Sequence, residues 1–160
     1  MITSVGAVLT CLSVIGFGHS YGVNLKKKSQ NLRALILLTD RIRARIDCFR
    51  QPLNDIYDGF SNDELDGMGF TQDLKTSGLS FALVKHKCAL GLNEDTFALL
   101  NEFAMSVGKS YADEQVRLCT DLKQALETRL SLMEKELPTK TRLGLTLSAA
   151  AAAMTAILFL

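Results

Sequence analysis

The segment Gly108-Lys109-Ser110 has the ending of a phosphate-binding loop, in which backbone N–H groups and a lysine ammonium hold the phosphates of a nucleotide. The complete pattern also needs a glycine five positions before Gly108 and a β-strand leading into the loop. Position 103 is Phe103, and the apolar residues around it recur at helical spacing. We therefore predict that this segment is a corner between two helices and not a nucleotide site.

Acidic residues between Ser61 and Gly78 have part of the spacing of a calcium-binding loop. The residues near ligand positions are Asn62, Glu64, Asp66, Gly67 and Asp73. The match is poor, because Asn62 is neutral, Glu64 is long for its position, and Gly69 replaces the usual apolar residue. We interpret residues 61–78 as a solvated, turn-rich loop between helices.

Histidine and cysteine give no metal-binding pattern. His86 and Cys88 are two positions apart, about 200° around a helix, so that their side chains would face apart. Cys48, Cys88 and Cys119 lack the close spacing of a metal or redox motif, and we interpret them as small core residues. There is no paired-carboxylate motif and no nucleophile with a placed base, so we expect no cofactor and no catalytic site.

Both ends of the chain lack charge, since every Lys, Arg, Asp and Glu lies between Lys26 and Arg142. As helices, residues 2–25 would be about 36 Å long and residues 143–160 about 27 Å long, against a hydrocarbon core of about 30 Å. We predict transmembrane helices over residues 1–25 and 143–160, with a helical domain over residues 26–142. A cleaved signal peptide is not favoured, because the basic cluster follows the first apolar run and does not precede it.

The basic residues beside these two segments predict the orientation of the chain. Lys26, Lys27 and Lys28 follow the first segment, and Lys140 and Arg142 precede the second. The positive-inside rule places the central domain in the cytoplasm and both termini outside, with membrane lipid as a partner. The chain has 18 basic and 17 acidic residues, a balance that gives no reason to expect nucleic-acid binding.

Small residues in the two apolar segments allow two interpretations. They are Gly18 and Gly22 in the first, and Gly144, Ser148 and Ala152 in the second. This spacing lets helices approach closely in lipid, but glycine and alanine are also simply common in membrane helices. We place His19 at the membrane interface, where it could reach headgroups or a partner.

We predict that the central domain is an all-α, antiparallel helical bundle. Its first helix has a heptad seam formed by Leu32, Leu35, Thr39, Ile42, Ile46, Phe49 and Leu53. Pro52 interrupts the run, so we end this helix near Phe49 and begin a second at Pro52 that ends around Gly59. A short apolar helix follows over residues 79–87.

Two more helices meet at the corner. Asn93 can cap a helix that stops at Gly108, and Ser110 can cap the last helix. The apolar stripe of the last helix runs to Pro138 and consists of Val116, Cys119, Leu122, Leu126, Leu130, Met133 and Leu137.

Three arginines flank the first seam. Arg43 and Arg50 lie on one side and Arg45 on the other, in positions that set partner choice in coiled coils. The alternative is an ordinary solvated face with internal ion pairs, which is the more common arrangement.

The chain resembles the stage III sporulation protein AB family across its whole layout. The most specific segments are "LRALILLTDRIRARIDCFRQPL" (Leu32–Leu53) and "LLNEFAMSVGKSYADEQVRLCTDLKQAL" (Leu99–Leu126). In the second, Phe103, Gly108 and Gln115 match the family's residues around the corner, whereas Tyr111 stands where the family commonly has an acidic residue. The resemblance implies a bundle of about six helices, similar to the cytoplasmic domains of type II secretion protein F.

The resemblance also implies a role. The protein would be a non-enzymatic platform in the channel-like complex between mother cell and forespore, located in the mother-cell membrane. Its partners would be other stage III sporulation proteins, including a secretion-type ATPase, and it could form homo-oligomers. The residues alone would support a membrane-tethered helical adaptor of an unrelated system equally well, and a nucleotide- or calcium-binding protein is the third hypothesis.

Overall fold

The computed structural model describes the backbone of residues 2–158 and the side chains of residues 22–143, 146–147, 150 and 154. Within residues 2–158 all regular structure is helical, as the sequence predicts. The helices are α1 (Ile2–Phe49), α2 (Leu53–Asp58), α3 (Asp63–Asp66), α4 (Phe70–Lys85), α5 (Lys87–Leu90), α6 (Glu94–Ser106) and α7 (Ala112–Leu158).

The chain forms two compact units. One consists of Met1–Lys27 with Leu132–Leu160, and the other of Lys28–Ser131. In the first unit, a Cβ atom added to Gly22 of α1 would lie 3.0 Å from Thr141 Cγ2 of α7, so the two helices approach closely at this position. The surroundings of five other residues named above lie outside what the structure describes: Gly18, His19, Gly144, Ser148 and Ala152.

The described residues contain no helix that combines the length and the apolar character needed to cross a membrane. Both terminal spans remain predictions.

The core of the second unit contains most of the predicted seam of α1. Its buried members are Leu32, Leu35, Thr39, Ile42 and Ile46. Phe49 is 66% exposed, so its assignment to the core is wrong. Helix α1 ends at Phe49, as predicted, so Ile46 is the last buried residue of the seam. The chain then turns, and α2 begins directly after Pro52.

The segment 61–78, expected to be a loop, instead contains α3 and the first half of α4. Asn62 Oδ1 caps α3 by accepting hydrogen bonds from the backbone N–H groups of Glu64 (3.2 Å) and Leu65 (3.4 Å). Leu65, Phe70 and Leu74 are fully buried, and their burial stabilises the two helices. The sequence does not predict these helices, because most residues around the three apolar ones are polar. The helix expected over residues 79–87 is the second half of α4, which follows a break in helical geometry at Gly78 (φ 82°, ψ 174°).

Helix α4 is central to the second unit, where it packs against α2, α3, α5 and α6. The buried side chain of Asn31 connects α1 to α5. Its Nδ2 atom donates to the carbonyl oxygens of Ala89 and Leu90, each at 3.2 Å. These are carbonyls at the end of a helix, where the helix itself offers no donors, and Asn31 supplies a donor to both, including the buried carbonyl of Leu90.

Helices α6 and α7 follow the sequence prediction except at the start of α7, described below, and near Pro138. Asn93 caps α6 as expected, with its Oδ1 accepting from Thr96 N at 3.0 Å. Helix α7 does not stop at Pro138 but continues through it to Leu158. Proline removes one backbone hydrogen bond, and in the adjoining turn Thr141 Oγ1 donates an additional one to the Leu137 carbonyl at 2.8 Å.

The cysteines have two different environments. Cys119 is buried in the core, as predicted, and burial raises the pKa of its thiol to about 11. Cys48 and Cys88 are exposed, so their assignment to the core is wrong. Cys48 is two positions from Ile46 on α1, about 200° around the helix, and therefore faces away from the buried seam.

Candidate functional site

The corner between α6 and α7 has the backbone geometry that its glycine predicts. Helix α6 ends at Ser106, and Val107 is extended (φ −61°, ψ 135°) and buried. Gly108 then adopts φ 88°, a left-handed conformation that costs other residues about 1–2 kcal/mol. Phe103 is buried one turn before the helix end, and its carbonyl accepts a hydrogen bond from Val107 N (2.8 Å).

One side chain, Gln115, bridges both sides of the corner. Its Oε1 accepts from Gly108 N at 3.2 Å, and its Nε2 donates to the Ser110 carbonyl at 2.6 Å. Ser110 is not the helix cap predicted from the sequence. Helix α7 begins at Ala112, and the Gln115 N–H donates to the Tyr111 carbonyl (3.0 Å), which makes Tyr111 the capping position.

The geometry of residues 106–115 differs from that of a phosphate-binding loop. The corner is preceded by α6 and followed by α7, with no strand in residues 94–158. The N–H of Gly108, which would face a phosphate in such a loop, is engaged by the Gln115 side chain. The segment is therefore a helix–turn–helix corner, as the sequence predicts.

The connection between α1 and α2 lies beside the corner. A Cβ atom added to Gly108 would lie only 2.7 Å from Leu53 Cδ1. The two connections border a cavity of about 280 Å³, lined by Ile46, Arg50, Gln51, Pro52, Leu53, Gly108, Ala112 and Gln115. The sequence predicts that these segments belong to separate helices. It does not predict that they contact each other, because the contact depends on tertiary packing.

The three candidate arginines have different surroundings. Arg43 Nε lies 3.3 Å from Asp40 Oδ1, which also accepts from Lys123 Nζ at 2.8 Å. The Lys123 hydrogen bond, helped by Arg43, lowers the pKa of Asp40 below its ordinary value. Arg43 is thus part of an ion-pair network that connects α1 and α7.

Arg45 and Arg50 lie at the end of α1, next to the corner. Arg45 Nη1 donates to Gln51 Oε1 at 3.4 Å, and its guanidinium carbon lies 5.4 Å from the centre of the Phe49 ring. Arg50 is exposed and lines the cavity. No hydrogen bond or ion pair to the Arg50 guanidinium occurs within the described part of the chain.

Two exposed aromatic residues accompany these arginines. Phe49 is 66% exposed, and Tyr111, in the α6–α7 connection, is 89% exposed. We use the term corner surface for Arg45, Phe49, Arg50 and Tyr111. Phe49, Arg50 and Tyr111 are exposed and Arg45 is half-buried. Aromatic and arginine side chains are enriched in protein–protein contacts, so the corner surface has the composition of a docking site.

The calcium-like residues all have partners within the domain. Asp66 accepts from Ser61 Oγ (2.6 Å) and from Thr71 Oγ1, and these bonds lower its pKa. Asp73 accepts from Lys85 Nζ at 2.8 Å and lies 2.6 Å from His86 Nε2, which lowers its pKa likewise. No group of three or more metal-ligating side chains occurs among the residues that the structure describes.

Comparison with known protein families gives a match over nearly the whole chain. The family model described as stage III sporulation protein AB matches residues 3–160, essentially the whole chain. No curated protein and no solved structure matches this chain.

Proposed function

Since the chain belongs to the stage III sporulation protein AB family, we propose that it is a non-enzymatic, membrane-anchored platform of the sporulation complex between mother cell and forespore. The match over residues 3–160 is the observation that carries this proposal, because it covers both uncharged ends as well as the helical domain. The ends anchor the chain in the mother-cell membrane, and the helical domain between them faces the cytoplasm.

The proposed partners are other stage III sporulation proteins, including a secretion-type ATPase. The corner surface supports this part of the proposal. Arg50 and Tyr111 are exposed cationic and aromatic side chains on connections that pack against each other through Leu53 and Gly108. Binding residues are found disproportionately on connections between packed helices or strands, which favours these two connections as a recognition surface.

Reversing the charge of Arg50 is expected to weaken capture of the partner at least fivefold while leaving the helical circular dichroism signal unchanged. Arg50 is the best position for this test, because Arg43 and Arg45 also make contacts within the domain. Loss of about 1 kcal/mol or more on truncation is typical of residues that matter in an interface, and charge reversal adds repulsion. The measurement is co-purification of stage III proteins with tagged full-length Arg50→Glu from sporulating cells.

Lys75→Glu is the matched control. It makes the same change of charge at an exposed position on α4, and Lys75 does not line the corner cavity. Equal recovery of every partner with parent, Arg50→Glu and Lys75→Glu would contradict a role for the corner surface. Equal losses in the two variants would indicate that only net charge matters.

A further inference from the structure

A groove of about 210 Å³, which we call the α6–α7 groove, lies between these two helices. Four apolar side chains line it, two of them buried and two half-buried: Phe103, Leu122, Leu99 and Leu118. An apolar cavity of about 150 Å³ is large enough to hold a benzene ring. The α6–α7 groove therefore has room for one aromatic side chain of a partner.

The rim of the α6–α7 groove is acidic. Glu102 and Asp121 line it and are exposed. Glu102 has no ion pair within the described residues, and Asp121 has only an exposed one, with Arg117 Nε at 3.9 Å. Asp95 lies seven positions before Glu102 on α6 and therefore on the same helix face. Glu114 has the same relation to Asp121 on α7, so the groove suits an aromatic side chain that is accompanied by cations.

The corner surface of the same chain has this composition. Phe49 is 66% exposed, and the Arg45 guanidinium carbon lies 5.4 Å from the centre of its ring. Arg50 follows Phe49 directly and is exposed. Each of the two guanidinium groups can form paired hydrogen bonds to a carboxylate. Tyr111, the other aromatic residue of this surface, is less suited, because the acidic first turn of α7 follows it and like charges repel.

The corner surface and the α6–α7 groove face opposite sides of the α1–α7 pair. The ion pair between Lys123 Nζ and Asp40 Oδ1, at 2.8 Å, marks where these two helices face each other. Phe49 lies nine positions from Asp40, about 180° around α1. Asp121 lies two positions from Lys123, about 200° around α7. The first residue therefore faces away from α7, and the second faces away from α1.

Both surfaces are also at the same level along the two helices. Helices α1 and α7 are antiparallel, because α1 ends and α7 begins at the corner cavity. Arg45 lies five residues from Asp40, a rise of about 7.5 Å toward the corner. Leu118 lies the same distance from Lys123 in the same direction. One copy can therefore place its corner surface against the groove of an identical copy beside it, in a head-to-tail arrangement.

We propose that the α6–α7 groove binds the corner surface of a second copy of this chain, with Phe49 in the apolar groove and Arg45 and Arg50 on its acidic rim. The contact is heterologous, since two different surfaces meet, and it can continue from copy to copy into a row or a ring. This inference rests on the proposed function, because it names one partner of the corner surface, and it adds the groove as the surface that receives it.

The test is photocross-linking of full-length chains in the membranes of a non-sporulating bacterial expression host. Two forms of the chain with tags of different size are co-expressed, and the larger form carries p-benzoylphenylalanine in place of Phe49. Irradiation is expected to link the two forms, with the attachment in residues 95–106 or 114–125. The same photoreactive residue in place of Leu37, which is 58% exposed on another face of α1, should give at most about a fifth of this product. Absence of the product, or attachment outside these two segments, would overturn the inference.

Charge reversal tests the complementarity of the two surfaces. Glu102→Lys with Asp121→Lys in the smaller form is expected to reduce the product about fivefold or more, because like charges then meet across the contact. Adding Arg45→Glu with Arg50→Glu to the larger form should restore the product to within about twofold of the parent, which a change in stability alone would not do. An undiminished product in the first case, or no recovery in the second, would contradict the contact.

Asp58→Lys with Glu127→Lys in the smaller form is the matched control. It makes the same change of charge at two exposed positions outside both surfaces, and Glu127, like Asp121, has an ion pair of only 3.9 Å. The product should change less than about twofold. A loss equal to that of the groove variant would indicate that net charge alone matters and would overturn the inference.

Co-purification with Arg50→Glu separates this inference from the proposed function. Loss of stage III partners in that variant, without any cross-linked product between copies, contradicts the contact between copies alone. A cross-linked product without capture of stage III proteins by the parent contradicts the partner role in the proposed function and supports the contact between copies.

Discussion

Replacing Ile42 and Ile46 together by alanine is expected to unfold the helical domain or to lower its free energy of unfolding by about 4 kcal/mol or more. Ile42 is 0% and Ile46 4% exposed, on adjacent turns of α1. Each truncation of a buried isoleucine to alanine costs about 2–5 kcal/mol through lost apolar burial and a residual cavity. Because small domains are stable by only about 5–15 kcal/mol, the combined effect should be evident in a thermal melt followed by circular dichroism.

Leu37→Ala provides the matched control on the same helix. Leu37 is 58% exposed, so its truncation removes little buried surface and should change the stability by less than about 1 kcal/mol. A melting temperature for Ile42→Ala with Ile46→Ala within a degree or two of the parent would show that this seam does not form the core.

Gly108→Val is expected to destabilise the domain by about 3 kcal/mol. The backbone of Gly108 has φ 88°, and a non-glycine residue in this region costs about 1–2 kcal/mol, with a β-branched side chain costing more. In addition, its Cβ atom would lie 2.7 Å from Leu53 Cδ1, and relief of such overpacking typically costs about 1–3 kcal/mol. Urea unfolding of the parent and the variant measures the difference.

The two residues that follow Gly108 serve as controls in the same turn. Lys109 is exposed, and Ser110 contributes its carbonyl to Gln115 while its hydroxyl caps no helix, so alanine at either position should cost less than about 0.5 kcal/mol. Gly108→Val with parental stability would contradict the corner geometry. A Lys109→Ala variant that folds but abolishes sporulation would point to a ligand at the corner.

The positions of several helix ends could be predicted because local chemistry determines them. Pro52 fixes the start of α2, Asn93 caps α6, and Gly108 provides the left-handed turn beyond it. The segment 61–78 could not be predicted in the same way. Its helices depend on burial of Phe70 and Leu74 against other helices, and tertiary contacts of this kind leave little periodic signal in a short, polar segment.

The candidate site was predictable in its residues but not in its contacts. The resemblance to the family identifies Gln115, yet only the structure shows that its amide connects Gly108 to Ser110. Spacing along α1 groups Arg43 with Arg50, but the ion pair to Asp40 places Arg43 in a network with α7, and Arg50 lies by the corner cavity. Such distinctions depend on which neighbour each side chain meets, and helical periodicity carries no information about that.

The topology of the chain is the central claim, and thiol labelling tests it most directly. Cys48 and Cys88 are exposed, so a reagent that reaches their side of the membrane should react with them, whereas Cys119 is buried. In a Cys11→Ser background, Thr3→Cys supplies a reporter near the amino terminus. The chain is expressed in non-sporulating bacterial cells, so that a membrane-impermeant maleimide has access to the outer face of the membrane.

We predict that the Thr3→Cys reporter is labelled in intact cells, and that Cys48 and Cys88 are labelled only after the cells are permeabilised. Labelling of Cys48 and Cys88 in intact cells would contradict the cytoplasmic placement of the helical domain, and with it the account of the protein as a platform for cytoplasmic partners.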